Sequence, residues 1–322
     1  MNQSFQNNLN KIYKEIRFKP ENFFALDEEN QSCIVSGKVG DQSVLLKVLS
    51  VKDERLIRFQ KEVEVDKFLQ SFNDNSDRKI SKVSVLGSGL IKGYFWLTRE
   101  YVAGKTLSSY SNKDKPLFGY DVLDSGLADK RESILNQILE NVGLVQKITD
   151  KKSYHVMYDN ELDNDLFSDL SLSLSINLKK QQEFWNLKKI LYQDGPNIKA
   201  SFADIVPSNI IISNDGKVVM SDFEWFCFDN YTMDYACLWL FLWRHPDWQR
   251  IITDFCVKSE EDKDFFVASL IRIIFGWYKV PFLKKDPIHS TQERKNYFKN
   301  HIWTKYLIAA GESFDAIMKV KE

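Results

Sequence analysis

The pattern that most constrains this chain is an aspartate, an asparagine five residues on, and a second aspartate beyond a short hairpin. The segment Phe202-Ala203-Asp204-Ile205-Val206-Pro207-Ser208-Asn209 leads into two β-like runs, Asn209–Ser213 and Val218–Ser221, with the turn Asn214-Asp215-Gly216 between them. Ser221-Asp222-Phe223-Glu224-Trp225 follows. Taken singly, Asp204 and Asn209 read as turn caps and Asp222 as the end of a strand. Taken together, they put oxygen-bearing side chains on two neighbouring loops. That donor set suits a metal-bound polyphosphate. A transferred phosphoryl group is heavily negative, the divalent cations that bridge it take oxygen ligands, and an acceptor hydroxyl must lose its proton to a nearby carboxylate.

The first third of the chain supplies a candidate clamp. Ser32–Lys38 and Ser43–Leu49 read as strands around the turn Val39-Gly40-Asp41-Gln42. Leu45-Leu46-Lys47-Val48 sets a lysine in an otherwise apolar strand. A lysine buried there needs a carboxylate or loses its proton; the alternative is an edge-strand lysine facing solvent. Asp53–Leu69 reads as a helix, with Leu56, Phe59, Val63 and Leu69 as its apolar positions, and it offers Glu62 and Glu64. Residues 1–20 read as a short amphipathic helix or arm, and Ser71–Arg78 as a polar loop. Val83–Leu90 and Tyr94–Glu100 read as two more strands joined at Gly93.

Beyond Gly104 the pattern turns helical. Ser133–Ile148 carries Ile134, Ile138, Val142 and Val145 on one face. Leu162–Leu191 reads as one or two helices stopped by Asp194-Gly195-Pro196, and Ile198–Ala203 as a strand. From Met233 onward the chain reads as helices rich in Trp and Phe. A β-rich block followed by a larger helical block predicts an α+β chain of two lobes, 1–101 and 102–322.

Composition excludes several classes. Of 322 residues, 43% are hydrophobic and 28% charged, with a net charge of −1, so the chain is globular rather than disordered. No basic stripe recommends nucleic acid as a partner. Cys33, Cys227, Cys237 and Cys256 form no CxxC pair and read as reduced thiols. Met1–Arg17 lacks an apolar signal core, and Cys237–Trp243 is too short to span a bilayer. The expectation is a cytoplasmic protein without membrane insertion. Oligomeric state is not legible.

In the two loops the sequence resembles the aminoglycoside phosphotransferase and choline kinase group, whose catalytic loop reads H-G-D-x-x-x-x-N and whose metal loop reads D-x-x. The resemblance runs in order over roughly residues 25–245. It implies a protein-kinase-like fold with a small β-rich N-lobe and a larger helical C-lobe, and a kinase of small molecules using ATP and Mg²⁺. By that resemblance Asp204 orients or deprotonates the acceptor hydroxyl, and Asn209 and Asp222 hold Mg²⁺. Lys47 touches the α- and β-phosphates and is held by Glu62, the glutamate that the family register selects when counted back from Phe68-Leu69. The phosphate-covering loop falls on Asp27-Glu28-Glu29-Asn30-Gln31-Ser32, which contains no glycine, so Ser32 or Asn30 would supply the donors. The interlobe hinge falls on Thr98–Gly104, where the C=O of Glu100 and the N–H of Val102 would meet the adenine edge; GTP remains an alternative nucleotide. The sequence departs from the family where Phe202 and Ala203 stand in place of the histidine and glycine. Phe202 would then brace the two loops by apolar contact. The D-x-E-W form, with Pro207 before Asn209, also resembles kinase domains associated with bacterial glycan modification.

Other features read mostly as structure. Trp225, Trp239, Trp243 and Trp248 suit a helical core better than an aromatic wall for a sugar or a quaternary ammonium, with Trp225 the exception because it follows the metal loop directly. The acidic run Asp159, Glu161, Asp163, Asp165 and Asp169 reads as a solvated face and lacks the glycine and terminal glutamate of a calcium loop. His245 reads as structural, and Cys227 is assigned no role. Three activities stay in competition: a kinase acting on a hydroxyl of a sugar, amino sugar or amino alcohol; a non-catalytic relative that binds or regulates; and a kinase of proteins or glycans. Against a protein kinase, no A-P-E-like segment follows Asp222, and Phe223–Met233 is too short for an activation loop.

Overall fold

The computed structural model describes residues 3–27, 31–53, 55–108, 123, 125–149, 197–242 and 245–279. In chain order the elements are α1 (Gln3–Glu15), β1 (Phe18–Asp27), β2 (Ser32–Val39), β3 (Gln42–Ser50), α2 (Leu56–Asp74), β4 (Val85–Ile91), β5 (Tyr94–Glu100), β6 (Gly104–Thr106), α3 (Arg131–Val145), β7 (Ile198–Ser201), β8 (Ile210–Ser213), β9 (Val218–Met220), β10 (Cys227–Asn230), α4 (Met233–Phe241), α5 (Pro246–Cys256) and α6 (Glu260–Lys279). They divide into two compact units. The first is Met1–Lys105 with Asn209–Phe226, and the second is Thr106–Ser208 with Cys227–Glu322.

The first unit is built on an antiparallel five-stranded sheet in the order β1-β2-β3-β5-β4. Side chains alternate across a strand, so β3 presents Val44, Leu46 and Val48 to one face and Lys47 to the other. The apolar face is covered by α1, whose Phe5, Leu9, Ile12 and Tyr13 recur at helical spacing and pack on Val35, Leu46 and Val48. Leu46 has no exposed surface, and its truncation to alanine would cost about 2–5 kcal/mol by lost transfer and the cavity left behind. The other face meets α2, where Val63 packs against Phe95 and Leu97.

Two elements depart from the sequence reading. β1 runs from the end of the expected arm to the first residue of the expected loop, over residues 21–26 to which the sequence assigns no element. Its residues are mostly exposed and bulges interrupt it at Pro20/Asn22 and Phe23/Ala25, which leaves no period-two signal; an edge strand tolerates both features. The helix α2 runs on through Asp74, where a polar loop from Ser71 is expected. Asn73 makes this possible. It is buried near the helix end, its Nδ2 donates to the Ile80 carbonyl at 3.0 Å, and its Oδ1 accepts the Ile80 N–H at 2.8 Å. A polar side chain that exchanges two hydrogen bonds with main chain is satisfied inside the fold.

The β8–β9 hairpin belongs to the first unit. It forms a small sheet in the order β6-β8-β9. Gly104 permits this pairing: a Cβ there would lie 2.2 Å from the Ile212 carbonyl oxygen. The strand β9 is also tied to the segment Ser81–Val83, with Val83 N–H donating to Met220 O at 2.8 Å and Met220 N–H to Ser81 O at 3.0 Å.

In the second unit, β7 pairs antiparallel with β10, a four-residue strand absent from the sequence reading. Every residue of α4 is buried, Asp234 included, as suits a helix that is otherwise almost wholly apolar. The four cysteines are buried and form no disulfide among the described residues. Among the described residues no helix is long and apolar enough to cross a membrane. The helices expected over Leu162–Leu191, the stop at Asp194-Gly195-Pro196, the acidic run and Trp243 lie outside the described residues.

Candidate active site

Lys47 organises the first unit's polar cluster. Its side chain is 3% exposed on the sheet face that meets α2, and its Nζ donates to Glu62 Oε2 at 2.8 Å and to Asp222 Oδ1 at 2.9 Å. Glu62, 2% exposed, comes from the middle of α2, whereas Glu64 faces solvent. Its second oxygen accepts from Arg99 Nη1 at 3.1 Å, and that guanidinium lies 4.0 Å from Asp222 Oδ1. Burial and the nearby Arg99 disfavour the ammonium form of Lys47. Asp222, Glu62 and Glu224 outweigh them and hold its pKa above the ordinary lysine value. Conversely, burial pushes the Asp222 carboxyl up, but Lys47 and Arg99 more than offset it and keep its pKa below the usual range.

Asp222 sits just past β9 with φ +67, a left-handed conformation unusual outside glycine. Its side chain remains 32% exposed. Ser221 stitches this turn to Asn209: the Ser221 N–H and Oγ donate to the Asn209 carbonyl at 2.9 and 3.0 Å. The loops carrying Asn209 and Asp222 are therefore fixed to each other by main-chain bonds.

A third carboxylate, Glu224, follows two residues after Asp222. Burial, then the Asp222 charge, pushes its pKa up to about 7. Arg58 on α2 approaches it at 3.9 Å and lies over the Trp225 ring, 4.1 Å from its centroid. Trp225 is thus engaged with a cation of its own unit. The sequence reading missed Glu224 and Arg99 as site residues. Glu224 was legible as the D-F-E-W carboxylate. Arg99 was legible only through register, because β5 pairs Leu97 with Lys47 and Arg99 with Leu45. That pairing sets both on the Lys47 face.

The remaining first-unit candidates are placed as follows. Ser32 opens β2, and its hydroxyl accepts from Arg55 Nη2 at 3.0 Å; the same guanidinium binds Asp53 Oδ2 at 2.7 Å. Gln31, at the end of the glycine-free loop, has φ +50 and takes the Tyr94 hydroxyl on its side-chain oxygen. Glu100 ends β5 and donates its N–H to Ser84 O at 2.9 Å. Val102 lies between β5 and β6.

Asp204 lies in the second unit, partly exposed, on the turn after β7. The turn is held by Asp234, from the first turn of α4 and 1% exposed. Its carboxylate accepts Ser201 Oγ at 2.8 Å, Phe202 N–H at 3.0 Å and Ala203 N–H at 2.9 Å. Burial raises its pKa to about 6, against the three hydrogen bonds that favour the anion. Ala203 has φ +59, at the position where the resemblance expects glycine. Trp239 and Trp248 are buried, consistent with a helical core.

The structure therefore brings Lys47, Glu62 and Asp222 into one hydrogen-bonded cluster and ties Asn209 to it through Ser221. Ser32, Glu100 and Val102 stand in the same unit. Among the described residues no group of three or more His, Cys, Asp or Glu is placed to hold a metal ion.

No protein-family model matches the chain, and no curated protein matches it significantly. Solved structures do. Aminoglycoside phosphotransferase APH(4)-Ia superposes with a TM-score of 0.58 at 15% identity, over 98% of this chain and 98% of that one. A thermostable mutant of that protein, in ternary complex with ADP and hygromycin B, gives 0.58 at 14% identity over 96% and 97%. Spectinomycin phosphotransferase APH(9)-Ia, in complex with ADP and spectinomycin, gives 0.55 at 11% identity over 96% and 98%. Similarity at this level of identity is similarity of fold, and the chain has the α+β, protein-kinase-like fold of these phosphotransferases.

Proposed function

We propose that this protein is an ATP-dependent phosphotransferase that moves the γ-phosphoryl group to a hydroxyl of a small molecule. The observation that carries this reading is the buried Lys47 shared between Glu62 and Asp222. A lysine kept charged inside a fold serves best where an anion must be received. On this reading Lys47 meets the α- and β-phosphates while Glu62 fixes its position. The C=O of Glu100 and the N–H of Val102 receive the purine edge, and Ser32 lies at the end of the loop that covers the phosphates. Backbone contacts of that kind suit ATP and leave GTP possible. Asp204 accepts the proton of the attacking hydroxyl.

The donor set fits magnesium. It is all oxygen, and it includes a partly exposed carboxylate at Asp222. Magnesium binds through one or two carboxylates and keeps its other positions for phosphate and water. Asn209 and Asp222 would hold it, and it would offset the charge of the phosphates. The nucleotide falls to the lobe 1–101 and the acceptor to 102–322. The solved neighbours hold ADP beside hygromycin B or spectinomycin. An alcohol on a sugar, amino sugar or amino alcohol is accordingly the acceptor class we favour, in a cytoplasmic setting.

The test is a panel of such alcohols incubated with the protein, ATP and Mg²⁺, with phosphate esters read by mass spectrometry. One or more esters should form with the wild type and vanish with Asp204→Asn. Nucleotide binding without any ester across sugars, amino sugars and amino alcohols would favour a non-catalytic binding protein instead.

A further inference from the structure

We infer that Arg99 is a positioning residue for the nucleotide phosphates: it holds the second oxygen of Glu62 and so fixes the carboxylate that aims Lys47 at them. The inference rests on the phosphotransferase reading above and adds to it a residue that no motif points to.

The geometry is specific. Glu62 has two oxygens and each has its own cation, Lys47 on Oε2 at 2.8 Å and Arg99 on Oε1 at 3.1 Å. The carboxylate cannot rotate without breaking one of these bonds. Arg99 is 13% exposed, and Glu62 and Lys47 are more deeply buried. At that depth charge is poorly screened, so the count of charges matters. A lone lysine–glutamate pair is neutral and offers a phosphate little. Lys47, Arg99 and Glu62 together carry a net charge of +1, which the Asp222 carboxylate brings to zero in this structure. The surplus is directed toward Asp222, whose Oδ1 lies 2.9 Å from Lys47 and 4.0 Å from Arg99. Phosphate oxygens can take the place of Asp222 on Lys47 while Glu62 stays fixed by Arg99.

Residue type matters as well. The planar guanidinium holds a fixed direction toward a carboxylate, where a lysine ammonium would swing. The strand that carries it continues directly into Glu100, so one short segment supplies both the purine-edge contact and the brace on the phosphate side.

The experiment is calorimetric titration of ADP in the presence of EDTA into wild type, Arg99→Gln, Glu62→Gln, the double variant and Arg99→Lys, with folding checked by circular dichroism. Arg99→Gln should weaken ADP binding about tenfold, equivalent to about 1.4 kcal/mol. Arg99→Lys should recover part of that loss, and the double variant should bind no more weakly than the weaker single variant, because Arg99 acts through Glu62. Unchanged ADP affinity in Arg99→Gln, or losses that multiply in the double variant, would overturn the inference. If Arg99→Gln does not fold, Arg99→Lys decides alone: a few-fold weaker affinity supports the brace, and wild-type affinity refutes it. A wild type that binds no ADP, with EDTA or with Mg²⁺, would overturn the phosphotransferase reading and this inference together.

Discussion

Asp234 accepts the backbone N–H of Phe202 at 3.0 Å, and so the turn leading to Asp204 is held through its main chain, whatever side chain stands at position 202. The Phe202 ring is buried, and the hydrogen-bonded brace comes from a carboxylate more than thirty residues further along the chain.

Replacing Asp234 by asparagine tests this brace. Three donors converge on its two oxygens. Asparagine has a single acceptor oxygen, and its amide would face one of those N–H groups. We expect a loss of about 2–3 kcal/mol in stability, the cost of a buried unsatisfied donor plus a lost bond. Turnover should fall at least about tenfold as Asp204 loses its position. Denaturant melts and phosphate-ester formation measure the two effects.

The same residue predicts a pH dependence. Its folded pKa of about 6 lies above the ordinary aspartate value of 3.8, so the native state binds the proton more tightly than the unfolded chain. Its contribution to stability therefore falls as pH rises from about 4 to about 6, and its full cost is present above that window. Compared with Asp234→Asn, which does not titrate, the wild type should hold a larger stability advantage at pH 5 than at pH 7.5. Paired urea melts at the two pH values check the sign.

Ala203 occupies a left-handed conformation, φ +59, one residue before Asp204. An L-residue with a Cβ is strained there by about 1 kcal/mol relative to glycine. Ala203→Gly should raise stability by about 0.5–1 kcal/mol, seen as an upward shift of the melting midpoint, without loss of activity.

Gly104 makes the opposite case. Its missing Cβ leaves room for the Ile212 carbonyl, which would otherwise lie at 2.2 Å. The obstruction is backbone and cannot rotate away. Gly104→Ala should separate β6 from β8 and cost about 1–3 kcal/mol, the scale of an overpacked site. Hydrogen exchange at the amide of Asn214, which donates to Ala103 O at 3.0 Å, should accelerate with it.

Much of the cluster was legible because its logic is local. A lysine inside Leu45-Leu46-Lys47-Val48 needs a carboxylate, and a following helix offers few. The hairpin at Asn214-Asp215-Gly216 carried its own turn chemistry. What escaped detection depends on distant pairing. Arg99 joins the cluster through the β3–β5 register, and Asp234 reaches the Ser201–Ala203 turn from α4. β1 escaped because an exposed, bulged edge strand has no reason to alternate. The length of α2 escaped because Asn73 reads as a loop residue until Ile80 is beside it.

The most direct test of the central claim is calorimetric titration of ADP with Mg²⁺ into the wild type and into Lys47→Met and Asp222→Asn. The account predicts saturable binding by the wild type and at least about a tenfold loss in each variant, since each removes a charged partner of the phosphates or their metal. Wild-type affinity in both variants, or no binding by a folded wild type, would contradict it.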